Sequence, residues 1–190
     1  MIVTIALFLS GCSTTMIFTK GMSASDKDDG TSMVFGHIDS NETNTSLYEF
    51  SIMKKENRNG VDRFEHYDTR TADNGMFYLE NLESGEYLLG WMYAKTYPVF
   101  GEPYTFRLPD ATDGKEFAMA TVKITKPGIY YMGSYKIYVM KNPSFSHGEV
   151  YNVRKEVSPS EKDLLKQMSA HLRGSGWDKD AAARMRLVRK

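Results

Sequence analysis

Residues 73–87 read D-N-G-M-F-Y-L-E-N-L-E-S-G-E-Y, and this stretch decides the fold class. Gly75 and Gly85 mark two turns, because glycine adopts positive φ angles at low cost. Between the turns, Phe77 and Leu82 are expected to point into a core. The stretch therefore predicts a β-hairpin.

Short β-rich segments separated by turn-forming residues continue on both sides of this hairpin. They are predicted at residues 32–39, 47–53, 63–69, 76–79, 87–94, 104–108, 117–125 and 129–140. The region that they occupy shows no helical apolar periodicity, so it is interpreted as a mainly β domain with an antiparallel sandwich architecture. A parallel α/β sheet is excluded by this pattern.

Two motifs within this region resemble a known fold family. The hairpin at residues 73–87 resembles the D-x-G-x-F-x-x-x-x-L-x-x-G-x-Y pattern of carboxypeptidase-regulatory-like and transthyretin-like domains. Residues 121–133, T-V-K-I-T-K-P-G-I-Y-Y-M-G, resemble the K-P-G-x-x-Y-Y-x-G stretch of bacterial lipoproteins with that fold. The resemblance implies an immunoglobulin- or prealbumin-like sandwich, and it supplies no catalytic residue.

The first nine residues, M-I-V-T-I-A-L-F-L, form an uncharged apolar run. This run is far shorter than the roughly 20 residues that a membrane-spanning helix needs, and it fits the apolar region of a secretory signal. It leads into L-S-G-C at residues 9–12, which resembles the lipobox of bacterial lipoproteins. No Lys or Arg precedes the run, which departs from that family and leaves an upstream start or an atypical signal open.

The lipobox resemblance implies where the protein is placed. Residues 1–11 are expected to be a cleaved signal peptide, and Cys12 is expected to carry palmitate-type acyl chains that hold the protein on a membrane. Ser13 stands where an Asp would imply retention at the inner membrane, so the resemblance implies an outer-membrane lipoprotein of the cell envelope that faces the periplasm.

The amino-acid composition after the signal peptide divides the chain into three regions. Residues 12–31 are mostly small, polar or charged, and they are predicted to form a lipidated flexible tether. The sandwich domain is predicted over residues 32–156. A C-terminal helical segment is predicted over residues 157–190.

The C-terminal segment carries helix signals. Ser158 and Glu161 form a potential capping box with Pro159 at the first helical position, which predicts a helix over residues 159–173. Its apolar residues repeat at helical spacing and are expected to pack on the sandwich or on a partner; they are Leu164, Leu165, Met168 and Leu172. A second short helix is predicted to start near Asp178, and its basic end suits either anionic lipid or the helix dipole.

Charge and cysteine content exclude several functional classes. The chain of 190 residues has 24 basic and 24 acidic side chains, which argues against a nucleic-acid binder. A single cysteine excludes an intrachain disulfide framework and a zinc site built on several thiolates. No cofactor is predicted, because nucleotide-binding glycine loops and nucleophile elbows are absent from the sequence.

Two histidines are weak candidates for metal ligands. His37 is followed at a spacing of two by Asp39, and His66 by Asp68, so each pair shares one face of its predicted strand. If the two strands were neighbours, they would form a histidine and carboxylate cluster suited to metal-dependent hydrolysis. Such spacing is common in strands, and the favoured interpretation is that these are surface residues.

Aromatic residues form a second candidate site. Trp91 and Tyr93 are expected to share one strand face, as are Tyr131 and Tyr135. Exposed rings stack on sugars or peptides, whereas buried rings fill a sheet core. Both interpretations are open, and core packing is favoured.

These observations predict a lipid-anchored, non-enzymatic envelope module that binds or supports another envelope protein. One alternative is a module that binds a glycan or small ligand through the aromatic face. A second alternative is a metal-dependent hydrolase that uses His37 and His66. The membrane, reached through the N-terminal lipid, and an envelope protein are the expected partners, whereas nucleic acid is not. The oligomeric state is left open.

Overall fold

The computed structural model describes residues 24–40, 45–67, 69–71, 75–96, 104–108, 119–140 and 150–188. The strands are β1 (Ser32–Asp39), β2 (Thr45–Arg58), β3 (Val61–Tyr67), β4 (Arg70–Thr71), β5 (Met76–Leu82), β6 (Gly85–Thr96), β7 (Tyr104–Leu108), β8 (Ala120–Ile124), β9 (Gly128–Met140) and β10 (Val150–Glu156). The helices are α1 (Glu161–Met168) and α2 (Trp177–Leu187).

The strands form two sheets, which confirms the predicted mainly β sandwich with a helical appendage. In sheet A the strand order is β10-β9-β1-β5-β4. In sheet B the order is β3-β2-β6-β7, and β8 also pairs with β6. One feature differs from the purely antiparallel prediction: β1 and β9 are parallel neighbours, whereas the other pairs of described strands are antiparallel.

The sequence prediction missed two strands and shortened others. The short β4 lies at one edge of sheet A, and β10 lies at the opposite edge, where it pairs with β9. The sequence of β10, V-Y-N-V-R-K-E, has too few apolar residues to show a clear alternation. Backbone pairing with the long β9 therefore makes β10 a strand, although the apolar pattern of β10 alone does not predict one.

An interior cluster fills the space between the two sheets. Phe77 and Leu82 are buried there, as the hairpin predicted. Gly75 has the expected positive φ of 81°, whereas Gly85 is an ordinary strand residue and Asn81 takes the left-handed conformation instead. Because of this irregularity at Asn81, Phe77 and Leu82 reach the same core despite their odd spacing.

A second apolar cluster lies between the outer face of sheet A and the two helices. The helices therefore form a third layer of the fold. The apolar residues of the C-terminal segment pack there, which confirms one of the two predicted destinations; they are Leu164, Leu165, Met168 and Leu172. Phe35 and Tyr78 from sheet A and Trp177 from α2 complete the centre of this cluster, each at most 1% exposed. The central strand β1 of sheet A is therefore buried on both faces.

The first helix begins later than predicted. Ser160, rather than Ser158, is the N-cap of α1, and it forms a capping box with Asp163. The Ser160 hydroxyl accepts from the Asp163 backbone N–H at 3.3 Å, and the Asp163 side chain accepts from the Ser160 backbone N–H. The Ser160 hydroxyl also donates to the Asp163 carboxylate, and this bond, together with the one from the Ser160 backbone N–H, lowers the pKa of Asp163. The helix also ends at Met168 rather than near residue 173.

Residues 24–31, here called the N-terminal strap, differ from the predicted flexible tether. The Ala24 N–H donates to the His171 carbonyl and the Lys27 N–H to the Ser175 carbonyl, each at 2.8 Å. The Ser25 N–H donates to the Glu80 carboxylate at 3.0 Å. These bonds hold the strap against the loop between α1 and α2 and against β5, so it belongs to the folded unit.

Candidate functional site

The predicted lipidation site, Cys12, lies outside the described residues. The described chain begins at Ala24, which is 9% exposed and packs in the cluster beneath the helices. Lys27 strengthens this attachment: its ammonium lies 2.6 Å from the Asp180 carboxylate and 5.3 Å from the centre of the Trp177 ring. The N-terminal strap is therefore fixed to the helical layer at Ala24 and Lys27.

The structure does not bring the predicted aromatic residues together on one face. Trp91 and Tyr93 belong to β6, but their side chains lie outside the described part of the chain. Tyr135 is 3% exposed and packs between the two sheets. Tyr131 packs on the other side of sheet A, under the helices. The prediction that Tyr131 and Tyr135 share a face is therefore wrong.

A β-bulge explains this error. The pairing of β1 with β9 skips Met132, so that Phe35 faces Tyr131 and Gly36 faces Gly133. The extra residue reverses the alternation of side chains along β9 beyond this point. Sequence spacing alone does not show such a reversal, although Gly133, with φ of 122°, is the residue type that permits it.

Tyr131 and Ser134 form a polar link between sheet A and the helical layer. Their hydroxyl oxygens are 2.9 Å apart, and the fully buried Ser134 donates to the Pro159 carbonyl at 2.6 Å. Burial raises the pKa of Tyr131, so its hydroxyl stays protonated at neutral pH. The Tyr131 ring also packs on Phe35 at 5.4 Å, so this aromatic residue serves packing rather than an exposed binding platform.

The two histidines are not assembled into one site. His37 lies on β1 of sheet A, and His66 lies on β3 of sheet B, so their strands are not neighbours. His66 is exposed, as expected of a surface residue, but His37 is only 9% exposed, so the interpretation of both histidines as surface residues is wrong for His37. Within the described residues, no group of three or more His, Cys, Asp or Glu side chains is placed to hold a metal ion. The proposed histidine cluster is therefore not formed by these strands.

Instead, His66 contacts a serine that the sequence analysis did not single out. The Ser51 hydroxyl and Nδ1 of His66 are 2.9 Å apart. A serine beside an imidazole is the beginning of a hydrolytic site, but Ser51 is only 4% exposed, and its oxygen is shielded from a substrate. The pair orients the His66 ring at the surface. No sequence motif marks it, because the contact joins adjacent strands.

On the outer face of sheet B, side chains from paired strands form rows that mix apolar, aromatic and charged residues. This face is here called the sheet B surface. The members of these rows alternate with residues that point into the core, and they are His66, Met53 and Leu88 in one row and Phe64, Lys55 and Glu86 in the next. Phe64 and Leu88 are partly exposed, whereas Met53 is only 5% exposed. An ion pair of 2.7 Å joins Lys55 to Asp62. Partly exposed apolar groups among charges are typical of a protein-binding surface.

A polar cluster at one end of the core has a structural role. Lys54 donates to the Glu83 carboxylate at 3.0 Å, and the Tyr87 hydroxyl donates to the Glu83 carbonyl at 3.1 Å. The Tyr67 hydroxyl donates to Glu65 at 2.9 Å. Burial raises the pKa of both tyrosines, so they remain hydrogen-bond donors at neutral pH rather than acids or bases of a reaction.

An apolar groove of about 280 Å³ runs between the two helices. Its floor is formed mainly by Leu165, Ala181, Ala182 and Met185, and Asp178 and Arg186 supply charged groups. An ion pair of 2.6 Å between Arg184 and Glu161 links the helices. Neither described helix has the length and apolar character needed to cross a bilayer.

Comparisons with protein-family models, with curated proteins and with solved structures found no match to this chain.

Proposed function

We propose that this chain is a lipid-anchored, non-enzymatic module of the bacterial cell envelope, and that its sandwich binds another envelope protein. The observation that carries the proposal is the L-S-G-C sequence at residues 9–12, which follows a short apolar run and contains the only cysteine of the chain. Several acyl chains on one cysteine hold a protein stably on a membrane, since each buried CH₂ contributes about 0.8 kcal/mol.

The sheet B surface is the proposed contact for the envelope partner. The outer face of sheet A is occupied by the helices and the N-terminal strap, which pack on it through Phe35 and Tyr78. The outer face of sheet B carries partly exposed Phe64 and exposed His66, whose ring is oriented by Ser51. An oriented ring loses little conformational entropy when a partner binds, which favours this surface.

Incorporation of radiolabelled palmitate tests the anchor. We expect the wild type and the Ser13→Ala variant to be labelled and to fractionate with membranes. The Cys12→Ala variant is expected to be unlabelled and to leave the membrane fraction. Equal labelling of the Cys12→Ala variant, or no label in any of the three proteins, would refute lipidation at this residue.

A further inference from the structure

We infer that the outer face of the helical hairpin, formed by α1, α2 and their connecting loop, is the surface that meets the lipid headgroups of the anchoring membrane. The inference rests on the proposed attachment through Cys12. It goes beyond attachment because it states which side of the sandwich faces the bilayer and which chemistry meets it there.

The first argument is the place where the N-terminal strap is attached. The backbone bonds from Ala24 to His171 and from Lys27 to Ser175 fix the strap to the loop between the helices. The Lys27–Asp180 ion pair then fixes it to α2. The tether is therefore attached to the helical layer and not to either end of sheet B.

The second argument is length. The twelve residues from Cys12 to Ala24 span at most ~43 Å, which is the limit for a fully extended chain of this length. A folded chain of this size is about 40 Å across. Even this upper limit is only about the width of the domain, so a lipid on Cys12 keeps the layer that carries the attachment close to the bilayer, and sheet B faces away from it.

The third argument is charge. Four exposed cations belong to the hairpin, and they are Lys166, Arg173, Lys179 and Arg186. Lys179 lies about 200° around α2 from the buried Trp177, so it points away from the sandwich. The exposed carboxylates of the hairpin, Asp163 and Asp178, are fewer, and an anionic headgroup layer attracts such a surface.

The apolar character of the same face is consistent with a lipid partner. Leu187 is 66% exposed near the end of α2 and follows Arg186 directly. The groove beside it is lined by Ala182 and Met185. Basic groups next to exposed apolar groups match a headgroup layer that covers acyl chains. The strap carries three exposed acidic residues, Asp26, Asp28 and Asp29. The Asp28 N–H donates to the Asn81 side chain and the Asp26 carbonyl accepts from it, so this acidic segment is bound at the edge next to β5.

Lysine acetylation read by mass spectrometry tests the orientation. The thiol of Cys12 in the full chain is coupled to a maleimide lipid in vesicles that contain phosphatidylglycerol, and the reference protein carries a maleimide without lipid. We expect anchoring to slow acetylation of Lys166 and Lys179 by about threefold or more, since headgroups cover them. Lys123 and Lys126, exposed on and next to β8 in sheet B, are expected to react at unchanged rates. Equal slowing of all four lysines, or slowing only at Lys123 and Lys126, overturns the inference.

Charge reversal tests the headgroup chemistry. The double variant Arg173→Glu with Arg186→Glu is expected to lose most of the protection of Lys166 and Lys179, because it places anions against an anionic surface. The matched control is Arg63→Glu, an exposed residue on β3, and it is expected to keep the protection. Full protection in the double variant overturns the role of charge.

The chemical coupling separates this inference from the proposed function. Because the maleimide lipid anchors Cys12 whether or not a cell acylates it, the acetylation pattern reports orientation alone. If palmitate labelling fails but Lys166 and Lys179 are protected, lipidation in the cell is rejected and the membrane-facing surface is kept. If palmitate labels Cys12 but these lysines are not selectively protected, lipidation is kept and the membrane-facing surface is rejected.

Discussion

At the scale of single residues, Gly133 decides which way the aromatic side chains of β9 point. A Cβ at this position would lie 2.8 Å from the Tyr135 hydroxyl and 2.9 Å from its ring. The ring therefore packs directly over the glycine, and its hydroxyl donates to the Met132 carbonyl at 2.9 Å. The bulge and the buried tyrosine form one unit, which is why Tyr135 is core rather than binding surface.

Gly133→Ala is expected to lower the free energy of unfolding by about 3 kcal/mol, because positive φ and a collision with Tyr135 both oppose the new methyl group. The control is Gly174→Ala, where φ is also positive at 81° and no atom lies within 4 Å. It is expected to cost about 1 kcal/mol. Urea denaturation measures both, and equal losses would contradict the packing argument.

Tyr135 also predicts a pH dependence. Burial, reinforced by nearby Tyr131, raises the pKa of Tyr135 to about 12, above the ordinary value of 10.0. A folded-state pKa above the unfolded value contributes stability that is present below pH 10 and is lost as the pH rises toward 12.

Tyr135→Phe is therefore expected to flatten the loss of stability over this alkaline interval. At neutral pH the variant is expected to lose about 1 kcal/mol, because the Met132 carbonyl loses a hydrogen-bond donor. Urea denaturation at pH values from neutral to alkaline measures both effects. An unchanged pH profile would show that Tyr135 does not carry this dependence.

At the scale of elements, the sequence before α1 contains two possible N-cap serines, two residues apart. Ser158 and Ser160 each precede a carboxylate at capping-box spacing, so the sequence offers two possible starts. The structure uses Ser160 with Asp163, which places Leu164, Leu165 and Met168 on the buried face.

Ser160→Ala is expected to destabilise the protein by about 1 kcal/mol, since the Asp163 N–H loses its side-chain acceptor. Ser158→Ala is the matched control, because Ser158 is exposed and is not the cap. It is expected to change stability by a few tenths of a kcal/mol at most. Thermal denaturation of both variants distinguishes the two starts, and a larger effect at Ser158 would favour the predicted start.

At the scale of the whole molecule, sheet A joins two apolar clusters. Phe77 points from β5 into the interior cluster, and its neighbour Tyr78 points into the cluster beneath the helices. Each cluster therefore depends on the same strands. The helical hairpin is a third layer of one cooperative unit rather than an independent appendage.

Leu164→Ala is expected to lower the free energy of unfolding by about 2–4 kcal/mol, because this side chain is fully buried between α1 and sheet A. The control Leu187→Ala, at a residue 66% exposed, is expected to have little effect. Transitions followed by tryptophan fluorescence and by far-UV circular dichroism are expected to coincide. Separate transitions would show that the helical layer unfolds on its own.

Local chemistry accounts for the features that were predicted from the sequence. Alternation and turn residues predicted most strands and the sandwich, because strand faces and turns depend on neighbouring residues. Helical spacing predicted the first helix and the apolar stripe that packs on sheet A, whereas the second helix was predicted only by its place after the Gly174–Gly176 break. Of the candidate site residues, His37 and His66 were placed on the correct strands but not in one site.

Contacts between residues distant in sequence were decided only by the tertiary structure. The parallel pairing of β1 with β9, the Ser51–His66 contact and the attachment of the N-terminal strap to β5 and the helices have no local signal. The faces of Tyr131 and Tyr135 depended on a bulge between paired strands. Local sequence patterns suffice to predict the kinds of elements and their apolar faces, since these depend on nearby residues. The tertiary structure decided pairing, register and surface, because these depend on burying all the apolar faces at once.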